Sequence, residues 1–387
     1  MVKLKSGTVT GMLVSRARPW KIGVLGGFLM GTGYAVSYFA TNTYFLIVSV
    51  GIISGFGSSC LMATAMTVLL SAFQGRSRIL ALAFGSVGSG IGGIASPYLL
   101  VVLEAEYGLP GAFLMSGGIL LNTIPLSCSL TLLIDNDVFD NKKVSGDTEL
   151  SQQKPRSQTC FEIVSTLFTN KHYVLGPVCV SIGVSILTSL NIFIVDVFIS
   201  RGWARNNGVF ALFLMNFIAT VGRLVNGLFK QCPHTSVFNI PFLACVTGGI
   251  SIMLFHTVTT LLPITLLTGV IGFTFGILIS SIYITAAKVV GDKLFPVGQG
   301  VASTVGGVLG VCIPPIIGYT KDRTGSYKEP FFVSGLVLLF CALLVFIVWI
   351  MRICSKDADV MKNDTELQNE IIVHSSIETS DYEGCRL

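Results

Sequence analysis

Charged residues are scarce in this 387-residue chain. Asp, Glu, Lys and Arg make up only 12% of it, hydrophobic residues make up 52%, and the mean hydropathy is +0.76. Soluble globular domains carry about 25% charged residues, so an ordinary soluble fold is excluded. Because only helices and closed barrels satisfy their backbone in lipid, we expect an all-α polytopic membrane protein.

The chain also lacks the residue groupings that enzymes and metal proteins need. It has 4 His, none of them paired at ligand spacing, and its 10 Cys are scattered singly with no C-x-x-C pair. These spacings exclude a zinc site and a disulfide framework. No nucleophile, metal cluster or base pair appears in the apolar runs, so we expect no enzyme, no cofactor, no metal and no nucleic-acid partner.

One glycine motif could be mistaken for a nucleotide loop. Residues 88–93, GSGIGG, fit the spacing G-x-G-x-x-G. That fingerprint needs a preceding strand and a following acidic residue, whereas here it lies in the 25 uncharged residues from Ile79 to Leu103. At 1.5 Å per residue this run forms a helix of about 37 Å, long enough to cross a membrane.

Ten runs of this kind are predicted to cross the bilayer. Each is nearly free of charge, is bounded by charges, Pro or Gly, and is close to the roughly 20 residues that a membrane helix needs. The predicted spans are approximately 22–41, 44–72, 79–103, 111–134, 173–199, 207–229, 237–255, 261–287, 294–319 and 330–351.

Lys and Arg are unevenly divided between the gaps that separate these spans. Most of the 25 fall on the side that holds residues 1–21, the 135–172 loop and the C-terminal tail. Because basic loops stay in the cytoplasm, we predict that both termini and the 135–172 loop are cytoplasmic. The acidic tail, 354–387, is predicted to be disordered.

A shift of 218 residues aligns part of the chain with itself. The register predicts two parallel helical halves, 1–134 and 173–353, related by an axis along the membrane normal. Only four full spans and a remnant fall in the first half against six in the second, so the first half is predicted to lack two helices. Six residues keep the register: Gly88, Gly92, Pro97, Phe113, Ser116 and Gly117 fall on Gly306, Gly310, Pro315, Phe331, Ser334 and Gly335.

Three motifs resemble those of the monocarboxylate transporters of the major facilitator superfamily. FQGRSRILALAFGSVGSGIGGIASP, 73–97, is similar to the family's fifth-helix signature, with Ala83 where Gly is usual. IPPIIGYTKDRTGSY, 313–327, resembles the stretch from the eleventh helix into the last outer loop, and VGRLVNGLF, 221–229, resembles the end of the eighth helix. The resemblance covers residues 6 to about 350.

The resemblance implies a major facilitator-type fold of two bundles with about ten full spans. The function it implies is secondary transport of small organic anions such as monocarboxylates by alternating access, as a multi-pass symporter of the plasma membrane. The implied partners are the organic anion, the lipid bilayer and a single-span accessory membrane protein. The alternative is a shortened, non-transporting paralogue or isoform that acts as a membrane interaction protein.

Two departures from the family pattern bear on activity. The first-helix signature of acidic residue, glycine and aromatic residue is absent, together with a lysine that proton-coupled members use. Those members also carry an Asp one helical turn before the eighth-helix Arg, where this chain has Ala219.

Arg223 is the only basic residue inside a predicted span. A buried guanidinium is costly and its planar fork suits a carboxylate, so Arg223 is the main candidate for substrate binding. The alternative is that it extends to the cytoplasmic edge of the membrane. Asn216, Ala219 and Thr220 share its helix face, and Asn216 is a second substrate-binding candidate. Tyr283 is a third, with simple packing as the alternative.

Asp196 and Arg78 are candidates for coupling or gating. Asp196 lies near the outer end of its span, where it is expected to pair with Arg201 or Arg205, to carry a proton, or to be a solvated helix-end carboxylate. Arg78 bounds the Gly-rich helix, and anchoring by basic residues on the inner side also accounts for it.

Glycines are the candidates for close helix packing, because small residues let membrane helices approach each other. A bulky residue at such a position is expected to overfill the contact. The packing candidates are Gly85, Gly88, Gly92, Gly306 and Gly310.

Overall fold

The computed structural model describes residues 19–73, 75–133, 160–169, 171–230 and 237–351. Within these ranges the chain is helical and contains no strand, which confirms the predicted all-α fold. The helix remnant near the N-terminus, the C-terminal tail and most of the central loop lie outside the described residues.

The N-terminal half begins with α1 and is built on long apolar helices. Asn42 caps the second long stretch, Thr43–Ala72, since its side chain accepts a hydrogen bond from the Phe45 amide at 3.2 Å. Phe73 has an extended backbone and ends that helix. In chain order the half contains α1 (Pro19–Val36), a 3₁₀ turn (Ser37–Phe39), a short helix (Thr43–Leu46) that continues as a π-helix (Ile47–Ser54), α2 (Gly55–Ala72), α3 (Gly75–Leu121) and α4 (Thr123–Leu133).

The C-terminal half contains the longest helical stretch of the molecule. A π-helical segment, Val174–Val178, precedes its first long helix and contains Pro177, which has no N–H for the α-helical ladder. The elements are α5 (Cys160–Thr169), α6 (Cys179–Ser200), α7 (Arg205–Phe229), α8 (Asn239–Leu254), α9 (Leu261–Thr324) and α10 (Lys328–Met351).

Eight helical stretches among the described residues are long and apolar enough to cross a membrane. The helices coincide with the uncharged runs of the sequence. Ser77–Ser129 is counted as one stretch although it covers two predicted spans, and Asn239–Leu254 is apolar but shorter than the eight. The predicted total of ten spans therefore stays a prediction.

Two glycines interrupt the long helical stretches. Gly108 in α3 has φ 67° and ψ 172°, and Gly291 in α9 has φ 75° and ψ 173°. A positive φ is strained for residues with a Cβ, so glycine permits the chain to turn at these two points. Each lies between two predicted spans, and each stretch therefore consists of two helical segments.

The apolar core is concentrated in the C-terminal half, where α9 contacts α6, α7 and α8. In the N-terminal half, α1 contacts α2, α3 and α4 around a much smaller cluster that contains Ile22, Cys60 and Ala63. The larger cluster joins all the long helices of its half and includes Leu187, Met215, Ile252, Leu278 and Leu338.

Helix α5 lies in the segment that was predicted only as a loop. Its Leu167 is buried against Tyr173, Val297 and Val301. The Tyr173 hydroxyl donates to the Gly298 carbonyl at 2.5 Å. The end of the central segment is thus packed against the C-terminal half.

Candidate functional site

The two halves meet along α3 and α7. Residue numbers rise along α3 as they fall along α7, so the two helices are antiparallel. We call this contact the seam. Its pairs, with the α3 residue first, are Ala83 with Gly227, Gly90 with Thr220, and Gly93 with Asn216.

The two helices approach each other closely at Gly90. A Cβ added to it would lie 2.6 Å from Nη1 of Arg223 and would overlap the hydroxyl of Thr220. Only glycine allows the backbone to approach these side chains so closely. The small residue thus serves the contact between the halves.

Arg223 crosses the seam from α7 to α3. Its Nη1 donates to the Ser86 carbonyl at 2.8 Å and to the Ser89 hydroxyl at 2.9 Å. The residue is 5% exposed, so its side chain is buried between the halves. Its buried Nε has no hydrogen-bond partner, and no carboxylate among the described residues forms an ion pair with it.

The seam ends near Asn216. A Cβ on Gly93 would lie 4.0 Å from the Asn216 Oδ1, which is ordinary contact. Val101 and Val209 lie eight and seven residues beyond Gly93 and Asn216, about two helical turns in each case, yet they are 63% and 49% exposed. The two halves therefore separate beyond Asn216, towards the end of the molecule that carries Asp196.

Asn216 is hydrogen-bonded to a second amide side chain where the seam opens. Its Oδ1 accepts a hydrogen bond from Nδ2 of Asn191 on α6 at 3.3 Å, and its own Nδ2 donates to the Leu212 carbonyl at 2.9 Å. Both side chains are half-buried. This amide pair lies where the seam opens, and sequence reasoning missed Asn191 because nothing in its local pattern distinguishes it.

At the end of the seam opposite to Asn216, an apolar cluster joins the two halves. Leu82 of α3 and Met66 of α2 pack against Tyr283 and Phe295 of α9. Tyr283 is 9% exposed and lies close enough to Arg223 to interact with it electrostatically. It is thus a packed residue beside the candidate arginine. We call this end of the molecule, where Arg78, Lys230 and Lys288 lie, the basic end.

Asn226 adds a buried polar group next to the seam. It lies one turn beyond Arg223, is 1% exposed, and its Nδ2 donates to the hydroxyls of Ser280 at 2.6 Å and Ser281 at 3.1 Å. Its Oδ1 has no partner. The sequence signal was available, since Asn226 lies within the 221–229 motif, but it was not singled out.

Ala219 is buried at the edge of the α7 face that carries Asn216 and Arg223. It is 1% exposed and belongs to the apolar cluster of the C-terminal half. Its carbonyl lies against Gly276 of α9, where a Cβ would not fit. Ala219 therefore packs against α9 inside the C-terminal half, beside the residues of α7 that face α3.

Asp196 has partners that the sequence did not suggest. It accepts a hydrogen bond from the Tyr327 hydroxyl, and it pairs with Lys321 at 3.6 Å. Neither Arg201 nor Arg205, the two pairing alternatives, contacts it, and its side chain is 49% exposed. Arg201 instead donates to the backbone carbonyls of Val258 and Phe255, and burial lowers its pKa. The carboxylate joins α6 to the ends of α9 and α10, away from Arg223.

The five packing glycines divide into two groups. A Cβ on Gly85 would overlap the Leu69 side chain, and one on Gly306 would overlap the Ser181 hydroxyl. At Gly88, Gly92 and Gly310 a Cβ would meet nothing within 4 Å. The expectation of close contact at these three is wrong for this conformation, because they face open space.

Arg78 lies at the start of α3, at the basic end. Its Nε donates to the Leu70 carbonyl in the last turn of α2 at 3.0 Å. This contact holds the guanidinium beside the apolar cluster that joins the halves. Within the described ranges, no three His, Cys, Asp or Glu residues are grouped so that they could hold a metal ion.

A profile of the Major Facilitator Superfamily matches residues 6–315. The chain belongs to this superfamily. Its curated relatives include monocarboxylate transporters at low identity. The chain is 26% identical to monocarboxylate transporter 12-B of Danio rerio, over 90% of this chain and 76% of the relative. Against monocarboxylate transporter 1 of Rattus norvegicus the identity is 25%, over 89% and 74%.

Solved transporters share the fold. The E. coli fucose:proton symporter FucP superposes with a TM-score of 0.67 at 13% identity, over 89% of this chain and 87% of FucP. The human organic anion transporter MFSD10 gives a TM-score of 0.66 at 13% identity, over 89% and 80%. Members of this superfamily are transporters, so the expectation of a non-enzymatic membrane protein agrees with the comparisons.

Proposed function

We propose that this protein carries small organic anions, such as monocarboxylates, across a membrane by alternating access of its two halves. The observation that carries the proposal is Arg223. It is a buried cation at the contact between the halves, with no acidic partner among the described residues. An uncompensated charge in a low-dielectric site attracts an ion of opposite sign.

The hydrogen bonds of Arg223 suit this role. Its two described bonds go to neutral acceptors, the Ser86 carbonyl and the Ser89 hydroxyl, so its full positive charge is retained. The unpartnered Nε leaves one donor for a ligand. A guanidinium binds carboxylates more specifically than an ammonium group does, because its donors form a planar fork.

The Asn191–Asn216 pair supports a path to this arginine. The pair lies where the seam opens, seven residues before Arg223 on the same face of α7, which is about 10.5 Å along the helix. Amide groups offer both donors and acceptors in an otherwise apolar region. In our proposal they contact the anion as it passes between the open end and Arg223.

The contacts between the halves support alternating access. The seam and the apolar cluster around Leu82 and Tyr283 join the halves at the basic end, whereas Val101 and Val209 are exposed at the other end. This arrangement corresponds to a carrier closed at one end. The opposite state would require α3 and α7 to separate at Gly90 and Ala83 and to approach each other beyond Asn216.

The test is uptake by the purified chain in liposomes. Radiolabelled short-chain monocarboxylates are compared with a neutral sugar, and empty liposomes give the background. We expect saturable uptake of the carboxylates and none of the sugar. Carboxylate uptake at the background level, or uptake of the sugar alone, contradicts the proposed function.

A further inference from the structure

Beyond the seam, α3 and α7 each carry one charged residue on the face that forms the seam. Glu104 lies eleven residues after Gly93, and Arg205 lies eleven residues before Asn216. Eleven residues make about three helical turns, or about 16.5 Å, so each residue returns to the face that carries the Gly93–Asn216 pair. Because the two helices are antiparallel, Glu104 and Arg205 lie at the same height on opposite halves.

In this structure the two charges face the gap between the separated helix ends. Glu104 and Arg205 are both exposed, and neither forms an ion pair with a described residue. Val101 and Val209, about one turn nearer to the seam, are exposed as well. The charged residues therefore lie beyond the point where the halves diverge.

The two halves carry opposite charges at this end. In the N-terminal half the charged residues here are two acids, Glu104 and Glu106. In the C-terminal half basic residues outnumber acidic ones, with Arg201, Arg205, Lys321, Arg323 and Lys328 against Asp196, Asp322 and Glu329. Arg201 is engaged by the Val258 and Phe255 carbonyls, so Arg205 is the basic residue that the seam face of α7 presents to α3.

Neither charge is favoured by its own helix. Arg205 is the first residue of α7, where the helix dipole places partial positive charge. Glu104 lies four residues before Gly108, where the first segment of α3 ends and the dipole is negative. Each helix end thus opposes the charge that it carries and attracts the charge on the other half.

We propose that Glu104 and Arg205 form an ion pair between the halves in the opposite state, in which α3 and α7 meet at this end. The inference rests on the alternating access of the proposed function, but not on which solute is carried. The Gly93–Asn216 contact serves as the pivot, and the pair closes the path to the amide of Asn191. An ion pair at a solvated rim is weak, so it can break in every cycle.

The experiment uses a zero-length carbodiimide cross-linker on the purified chain in detergent. The reagent joins a carboxylate to an amine as an amide and takes up the water that is lost. Arg205→Lys supplies the amine and keeps the charge, and mass spectrometry of the digested chain should show Glu104 joined to position 205. Asp196 and Lys321, paired at 3.6 Å, give the positive control.

Glu106 is the matched negative control. It lies about 200° around α3 from Glu104, so it should join position 205 at least about tenfold less than Glu104 does. The charges are then exchanged: Glu104→Lys with Arg205→Glu should restore the cross-link, whereas Glu106→Lys with Arg205→Glu should not.

A third comparison links the cross-link to the opposite state. Gly90→Leu overfills the seam and drives α3 from α7 at the basic end, so in the Arg205→Lys chain it should raise the yield of the cross-link. Gly88→Leu, where nothing lies within 4 Å of an added Cβ, should leave the yield unchanged.

Three results would overturn the proposal. They are an Asp196–Lys321 product without any product between positions 104 and 205, equal products from Glu104 and Glu106, and a yield that does not rise in Gly90→Leu. The product between positions 104 and 205 in a chain that shows no carboxylate uptake would contradict only the proposed function.

Discussion

Replacing Gly90 by Ala tests whether the seam holds the two halves together. A Cβ at this position would lie 2.6 Å from the Arg223 Nη1 and would overlap the Thr220 hydroxyl. Either the guanidinium leaves the Ser86 carbonyl and the Ser89 hydroxyl, or α3 and α7 move apart. Gly88→Ala is the matched control, since it makes the same change two residues away where nothing lies within 4 Å.

The magnitudes follow from two opposing effects. Gly→Ala inside a helix gains about 1 kcal/mol because the unfolded chain loses less freedom. Overfilling a packed contact costs about 1–3 kcal/mol. Gly88→Ala should therefore stabilise the protein by up to about 1 kcal/mol, whereas Gly90→Ala should lie about 1–3 kcal/mol below it.

The assay is thermal unfolding in detergent of the two variants and the unmutated chain, followed by carboxylate uptake in liposomes. We expect Gly90→Ala to unfold several degrees below Gly88→Ala. It should also transport less, because Arg223 is displaced. If the two variants have equal stability and equal uptake, the close contact at Gly90 does not exist in the folded protein.

Three further predictions concern groups away from the seam. Burial lowers the pKa of Lys230 to about 7, so the folded state binds fewer protons than the unfolded state between about pH 7 and 10. The free energy of unfolding should therefore rise with pH in that window. Lys230→Met should remove this rise, as measured by thermal unfolding at pH 6, 7.5 and 9. Tyr327→Phe keeps the buried ring but loses the bond to Asp196, and should lower stability by about 1–2 kcal/mol in the same melts; no change would show that the bond contributes nothing. Asn226→Leu should change the free energy of unfolding by less than about 1 kcal/mol. The Ser280 hydroxyl also donates to carbonyls of its own helix, and the substitution removes the unpartnered Asn226 oxygen. A loss of several kcal/mol would show that the Asn226 amide is essential.

The positions of the helices could be predicted from the sequence because lipid imposes one simple requirement. A helix that crosses it needs about 20 residues without charge, and the uncharged runs supply that length directly. The break at Gly108 falls between two predicted spans for the same reason. Helix α5 was missed because it is short and lies in a segment with a charge-rich neighbourhood.

The partners of individual side chains could not be predicted, because they depend on which helices become neighbours. The repeat aligned Gly88 with Gly306, yet only Gly306 packs against another helix, the one that carries Ser181. For Asp196 the sequence left three alternatives open, and none of them named Tyr327, which lies 131 residues away. The burial of Arg223 could be anticipated, because its position in an uncharged run needs no tertiary information, whereas its role in binding stays a prediction.

The proposed role of Arg223 is tested most directly by equilibrium binding of a radiolabelled monocarboxylate to the purified chain. We expect measurable binding with Arg223 present and weaker binding with Arg223→Lys, which keeps the charge but not the planar fork. Arg223→Gln should show no binding. Ser89→Ala, which removes only one neutral acceptor, should retain most of the affinity. Equal affinity with and without the Arg223 guanidinium, in variants that remain folded, would contradict the account.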